Sequence, residues 1–304
     1  MKNRKITIGS RGSKLAILYA ERAKKELLKF FNTKDVNIKT IVTTGDTVQN
    51  VRLSDYGGKG LFSKKIEQEL LEKKIDIAVH ALKDMPSEET KGLLTNSFLK
   101  RNDPREVLIS LNDIKIEDLK SKSIVGTSSL RREFQLKKIR EDLSYKLIRG
   151  NIDTRLKKLN DHLYDAIILS YAGIKVIGLE KKISQIFSTS EVIPSVGQGV
   201  IALQCRDSDK DLINILNQIN HESTFYCIKA ERNILKILEG DCETAVGAFA
   251  KINKDLIDVE AELFSLDGKE RYYVKLSKDL KLAEALGKEV GEILKEKSKN
   301  SYKK

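Results

Sequence analysis

The chain has 304 residues, 40% of them hydrophobic and 33% charged, enough for two or three domains with proper cores. No run approaches the ~18 consecutive apolar residues of a membrane helix, and Met1–Lys5 leads into Ile6-Thr7-Ile8 without an apolar signal segment. Three cysteines, Cys205, Cys227 and Cys242, do not make a disulfide framework, so a cytosolic, membrane-free protein is expected. The formal charge of +12 sits largely at the ends: Lys2, Arg4 and Lys5 give +3 and residues 295–304 give +4. No zinc-finger spacing or aromatic–basic motif accompanies it, so a solvated lysine-rich surface is favoured over nucleic-acid binding.

In chain order, strand-like runs alternate with helical patterns, the grammar of α/β layers. Strands are expected at 6–8, 38–42 and 75–82, with helices at 13–31 and 61–73. The pattern resumes with strands at 123–125, 145–148 and 166–169 and helices from Ser128/Ser129 to Glu141 and from Thr154 to Asn160. A buried strand follows at 200–205. After about His221 the pattern changes to a helix (225–238), three strands (245–252, 257–265, 270–276) and a last helix (283–294), a small α+β unit. Pro104 and Pro194 interrupt the alternating blocks and mark crossings between two domains. No internal repeat is detectable, and the basic tail 295–304 is expected to be disordered.

Three junctions share one design, a strand end followed by a Gly/Ser loop and a helix with arginine at its start: Gly9-Ser10-Arg11-Gly12-Ser13, Gly126-Thr127-Ser128-Ser129-Leu130-Arg131-Arg132, and Arg149-Gly150-Asn151-Ile152-Asp153-Thr154-Arg155. A helix start disfavours cations by ~0.3–1 kcal/mol. Arginines there make sense if an anion completes the site, as a polycarboxylate or phosphate would. The alternative is three unrelated surface turns with solvated arginines. Gly57-Gly58-Lys59-Gly60 lacks Walker spacing and no GxGxxG occurs, so a nucleotide site is not expected; a glycine hinge serving a lid is the better reading. Asp84 closes an apolar strand after Lys83. It reads either as a carboxylate at a cleft mouth, steering positive charge or a proton, or as a turn residue before Pro86. His80 and Asp84 are not a metal pair, because the segment reads as strand and no third ligand is apparent; His162 and His221 read as surface residues. Cys205 and Cys227 read as packing residues. Cys242 lies in a polar loop between Asp241 and Glu243, where negative neighbours oppose a thiolate protease but leave room for a thiol alkylated once and then capped.

Together the motifs IGSRGSKLA (8–16), GGKGLF (57–62), DIAVHALKDMP (76–86), RNDPRE (101–106), VGTSSLRR (125–132), RGNIDTRLKKL (149–159), YDAIILSYAGIK (164–175), PSVGQG (194–199) and LEGDC (238–242) resemble the hydroxymethylbilane synthase (porphobilinogen deaminase) family over all but the tail. The resemblance implies a monomer with two α/β domains like those of type II periplasmic binding proteins and a small α+β third domain. The implied bounds are 1–100 with 200–217, 101–199, and 218–294. It implies a dipyrromethane cofactor on Cys242 as a thioether and head-to-tail addition of four porphobilinogen units, each losing ammonia to give an electrophilic azafulvene, before hydrolytic release of the linear tetrapyrrole. Asp84 is then the catalytic carboxylate and also a cofactor contact. Ser13, Lys83, Thr127, Ser129, Arg131 and Arg132 bind the cofactor, Arg11, Arg149, Arg155 and Gln198 the substrate, and Lys59 and Phe62 belong to a lid. The chain departs from the family at Gly240-Asp241-Cys242, where many relatives read Gly-Gly-Cys, at Lys175-Val176 in place of Lys-Arg, and at Leu18-Tyr19 in place of Trp-Gln. A non-enzymatic anion-binding module on the same fold is the rival expectation.

Overall fold

The computed structural model describes residues 4–47, 60–240 and 244–303. Strand β1 (Ile6–Arg11) is buried along most of its length, as its short apolar run requires, and pairs in parallel with β2 (Val36–Ile41). Between them α1 (Lys14–Leu27) buries Tyr19, Ala20, Ala23 and Leu27, one stripe at helical spacing, against the sheet. It ends four residues before the expected Phe31, because Phe30 and Phe31 already lie in the turn. A single turn, α2 (Thr44–Thr47), follows β2; α3 (Lys64–Leu71) leads into β3 (Ile77–Ala81), which pairs in parallel with β1. A tight turn at Leu82–Asp84 precedes β4 (Leu93–Phe98).

Residues 99–105 then cross to a second sheet. It contains β5 (Glu106–Ser110), β6 (Ile124–Gly126), α4 (Leu130–Lys137), β7 (Ser144–Lys146), α5 (Ile152–Asn160), β8 (Ala166–Ser170), α6 (Tyr171–Val176) and β9 (Gln185–Ile186). The chain returns through residues 187–200 to β10 (Ile201–Arg206), which inserts antiparallel between β3 and β4. Then come α7 (Lys210–Ile219), α8 (Glu222–Ile237), the antiparallel strands β11 (Val246–Asn253), β12 (Leu256–Phe264) and β13 (Arg271–Asp279), and α9 (Ala283–Ser298). Strands β4, β5 and β9 and helices α6 and α7 were not expected from the sequence.

The two larger sheets run β2-β1-β3-β10-β4 and β7-β6-β8-β5-β9. Each has three parallel strands, then an antiparallel strand, then an edge strand. In each, the antiparallel strand is the first laid down after the chain arrives from the other sheet. The sequence carries no repeat, yet the topology does, since burial pattern and crossings set strand order without residue identity. The two crossings are tied together where prolines marked them: the Asn102 backbone N–H donates to the Gly199 carbonyl (2.8 Å) and Gln198 Nε2 to that of Pro104 (2.7 Å). Gly199 has φ +80°, and a Cβ there would meet Asn102 O at 2.7 Å.

The third sheet packs against α8 and α9 in a separate core. The two helices cross closely enough that a Cβ on Gly287 would meet Ala230 O at 2.2 Å. The expected disorder of the tail is corrected here. Helix α9 runs to Ser298, Tyr302 is 4% exposed, and its hydroxyl donates to the Leu238 carbonyl at 3.1 Å. Leu294 and Ser298 continue the buried face of α9 at four-residue spacing, and past the helix end the chain turns back to bury Tyr302.

Candidate active site

The three arginine-bearing junctions converge. Arg11 leaves β1, Lys83 and Asp84 leave β3, Arg131 and Arg132 follow β6, and Arg149 and Arg155 follow β7; all line one cavity of about 1160 Å³. Three helices with side-chain N-caps begin at its wall. Ser13 caps α1 by accepting from the Ala16 N–H (3.3 Å), Ser129 caps α4 by accepting from Arg132 N–H (3.5 Å), and Asn151 caps α5 by accepting from Thr154 N–H (2.9 Å). Their dipoles add positive potential to that of the guanidiniums. Gly150, φ +115°, is required at the third junction because a Cβ would meet Thr154 at 2.6 Å.

The cations are held in different ways. Arg131 Nη2 and Arg132 Nη2 donate to opposite oxygens of Glu106, at 2.6 and 2.8 Å, and Glu106 is fully buried. Burial alone would raise the Glu106 pKa, but Arg132 and Arg131 outweigh it and pull it down to about 2. Lys83 Nζ donates to Gln198 Oε1 at 3.2 Å; burial, reinforced by Arg132, lowers its pKa to about 8. Arg155 donates to the Gly150 carbonyl (2.8 Å), and burial followed by repulsion from Arg132 and Arg149 lowers its pKa to about 10. Arg11 is paired with Asp46, its Nε 3.1 Å from Oδ1, stacks 4.0 Å from the Phe62 ring centroid, and sits with Nη1 3.8 Å from Asp84 Oδ2. Asp46 feels burial upward, yet the hydrogen bonds from Arg11 and Thr43 bring its pKa below the ordinary value.

Ser13, Phe62, Ser129 and Gln198 also line the cavity. Gln198 is fully buried, with its amide donating to Pro104 and accepting from Lys83, so its position is fixed before any ligand arrives. Thr127 is placed differently. It is buried beneath the loop and its Oγ1 accepts from the Ser129 N–H at 3.2 Å, holding the loop rather than facing the cavity. Cys242 and Lys59, with Gly57 and Gly58, lie outside the described residues. Cys205 and Cys227 are buried free thiols whose pKa values burial raises to about 11 and about 12. His221 is no idle surface residue: it caps α8 through Nδ1, which accepts from the Thr224 N–H. His80 is buried and bonded to Gln204 at 3.2 Å. The sequence reading gave no role to Glu106, Asp46 or Glu231. Glu231 on α8 is fully buried, pairs with Arg101, and accepts from the backbone N–H groups of Gly197 (2.8 Å) and Ala250 (2.9 Å), joining a crossing to the third sheet.

Residues 6–214 match the family described as "Porphobilinogen deaminase, dipyromethane cofactor binding domain", and residues 225–296 match "Porphobilinogen deaminase, C-terminal domain". The chain belongs to the porphobilinogen deaminase family. The porphobilinogen deaminase of Syntrophomonas wolfei is 42% identical over 291 residues, 96% of this chain and 95% of the relative. That of Rickettsia typhi is 46% identical over 247 residues, 81% of this chain and 83% of the relative. Among solved structures, a putative methionine-binding lipoprotein from Bacillus subtilis aligns at TM-score 0.45 and 12% identity, covering 74% of this chain and 94% of that one, too distant to carry any argument. As a family member the chain is a transferase of tetrapyrrole biosynthesis with a dipyrromethane cofactor. No helix among the described residues is long and apolar enough to cross a membrane.

Proposed function

We propose that this cavity is where porphobilinogen units are joined head to tail into hydroxymethylbilane, with Asp84 as the catalytic carboxylate and Cys242 as the thioether anchor of the cofactor. The observation that carries the reading is the convergence of separate arginine junctions on one space that also holds the half-buried Asp84. The residues present suit a polycarboxylate. Arg132 Nε and Arg149 Nε are buried without a hydrogen-bond partner among the described residues, and carboxylate oxygens would supply one. The cavity exceeds the usual ~300–1,000 Å³ of a small-ligand site, as an elongating chain needs.

Ser13, Lys83, Ser129, Arg131 and Arg132 would hold dipyrromethane, with Thr127 supporting the loop; Arg11, Arg149, Arg155 and Gln198 would receive substrate acetate and propionate groups. When bound, the cofactor supplies the pyrrole to which the first incoming unit is joined. Loss of ammonia leaves positive charge on the substrate. A carboxylate such as Asp84 about 4 Å from that charge contributes on the order of 4 kcal/mol at an effective dielectric of 20. Arg11, 3.8 Å from Asp84 Oδ2, helps orient it. Phe62, stacked on Arg11, would belong with Lys59 to the cover of the site. We read the chain as a cytosolic monomer acting on a small molecule; against nucleic acid stand the recessed position of the cavity cations and the engagement of Lys295 and Lys303 by Glu239. The sheets support domains at 1–100 with 200–217, at 101–199, and from 218 onward.

Intact-mass measurement on protein from porphobilinogen-producing cells tests the reading. The expected result is two added pyrrole units on the peptide containing Cys242, absent in Cys242→Ser. Asp84→Asn should keep the adduct and lose about a thousandfold in porphobilinogen consumption. Unmodified wild-type protein would overturn it.

A further inference from the structure

Helix α8 ends five residues before Cys242, and its last turn is unusual. The Gly240 N–H donates to the Leu235 carbonyl (2.9 Å) and the Glu239 N–H to that of Lys236 (3.0 Å), a closing pattern that puts Glu239 at the left-handed position, φ +52°. Glycine is the ordinary occupant there, since a side chain makes this conformation unfavourable.

Three contacts hold that turn, and two come from the C-terminal segment. Tyr302 Oη donates to the Leu238 carbonyl, an acceptor at the helix end, and its ring is packed in the same core as Leu235 and Leu238. Lys303 Nζ lies 2.9 Å from Glu239 Oε2, and Lys295 Nζ lies 3.3 Å from Oε1. The segment is aimed there by its own backbone. Lys299 and Asn300 both have positive φ, reversing the chain after α9, and the Leu266 N–H donates to the Ser301 carbonyl at 3.0 Å. Tyr302 and Lys303 line the main cavity together with Leu238, Glu239 and Thr244. They lie beyond residue 296, where the match to the family's C-terminal domain ends.

We propose that Tyr302 and Lys303 are positioning residues for cofactor attachment: they close the last turn of α8 and so fix the direction in which the chain leaves Glu239 and Gly240 toward Cys242. The inference rests on Cys242 being the anchor. Attachment forms a bond from Sγ to the aminomethyl carbon of porphobilinogen and breaks its C–N bond, ammonia leaving with the thiol proton; the second unit joins the first with loss of a second ammonia. Strapping the approach to the thiol lowers the conformational cost of reaching the bond-forming geometry.

The test mixes full-length apoprotein, from cells that make no porphobilinogen, with porphobilinogen and follows the two-unit mass gain over time, beside the thermal unfolding midpoint. Tyr302→Phe keeps the ring and loses one hydrogen bond; loading should slow about fivefold while the midpoint falls by only about 2–4 °C. Lys303→Ala should slow loading about twofold, and adding Glu239→Gly should restore it, because glycine adopts the left-handed turn without help. A merely structural tail would not give that rescue. Deleting residues 299–304 should have the largest effect. Wild-type loading rates in Tyr302→Phe and the deletion would overturn the strap alone. A wild-type chain that gains no adduct on the Cys242 peptide would remove the anchor assignment, and the strap with it.

Discussion

Arg131–Arg132 and Arg149–Arg155 border the same cavity and are built in opposite ways. The first pair shares the buried carboxylate of Glu106 and also donates to backbone carbonyls, Arg131 to Ile193 (2.8 Å) and Arg132 to Ile168 (3.3 Å). The second pair has no carboxylate partner among the described residues; burial lowers the pKa of both, and Arg149 adds repulsion from Arg11. A buried cation without a counter-charge costs the apoprotein stability, whereas one neutralised in place is part of the fold. The first pair is therefore a preformed frame, and we propose that a polycarboxylate completes the second.

The largest effect that sharpens this contrast is expected from Glu106→Gln, which strands two buried guanidiniums. Denaturant unfolding should show a loss of about 3–5 kcal/mol. The pH sign is definite. Glu106 has its pKa at about 2 instead of 4.5, so its stabilisation is complete above 4.5 and disappears as pH falls toward 2; the variant should lack that acid limb. Arg155→Met should do the reverse to the apoprotein, raising its stability by about 1 kcal/mol, and Arg149→Met, at a half-buried position that water screens, should change it less. Turnover should fall by ~10–100-fold in each through one missing charged hydrogen bond. If either methionine variant destabilised the apoprotein as Glu106→Gln does, the contrast between the pairs would be broken.

The same contrast marks where sequence reading stops. The apolar runs at Ile6, Ile77, Ala166 and Ile201 are strands because burial on both faces leaves no polar alternation to hide them, and the Gly/Ser–arginine loops at their ends are visible as local strings. Two arginines in the first turn of α4 called for an anion, and one is present, but it is a carboxylate of this chain, 25 residues before Arg131. Asp46 beside Arg11 and Glu231 beside Arg101 have the same long-range character, 35 and 130 residues distant. No local pattern encodes such a pairing, because it exists only once the sheets have brought distant segments together. The tail failed for a related reason: lysine composition dominated the reading, while the single aromatic that docks it, Tyr302, meets a carbonyl 64 residues away.

The smallest expected effect concerns Lys83, which stands between the two pairs in character. Its amine donates to Gln198 at 3.2 Å, and burial, helped by Arg132 and Arg131 against Asp84 and Glu106, lowers its pKa to about 8. The sign is opposite to that of Glu106. The folded chain disfavours the protonated amine, so the apoprotein gains stability as pH rises from about 8 toward the ordinary 10.5. Carboxylate capture runs the other way, since only the ammonium attracts it, and a bound carboxylate raises the pKa again. Loading of apoprotein by porphobilinogen should therefore slow above about pH 8, with proton uptake visible by calorimetry in buffers of different ionisation heat. Lys83→Arg, which stays charged throughout that range, should carry the alkaline decline to higher pH; an unchanged decline would assign it to another group and leave Lys83 with the frame rather than with the waiting charges.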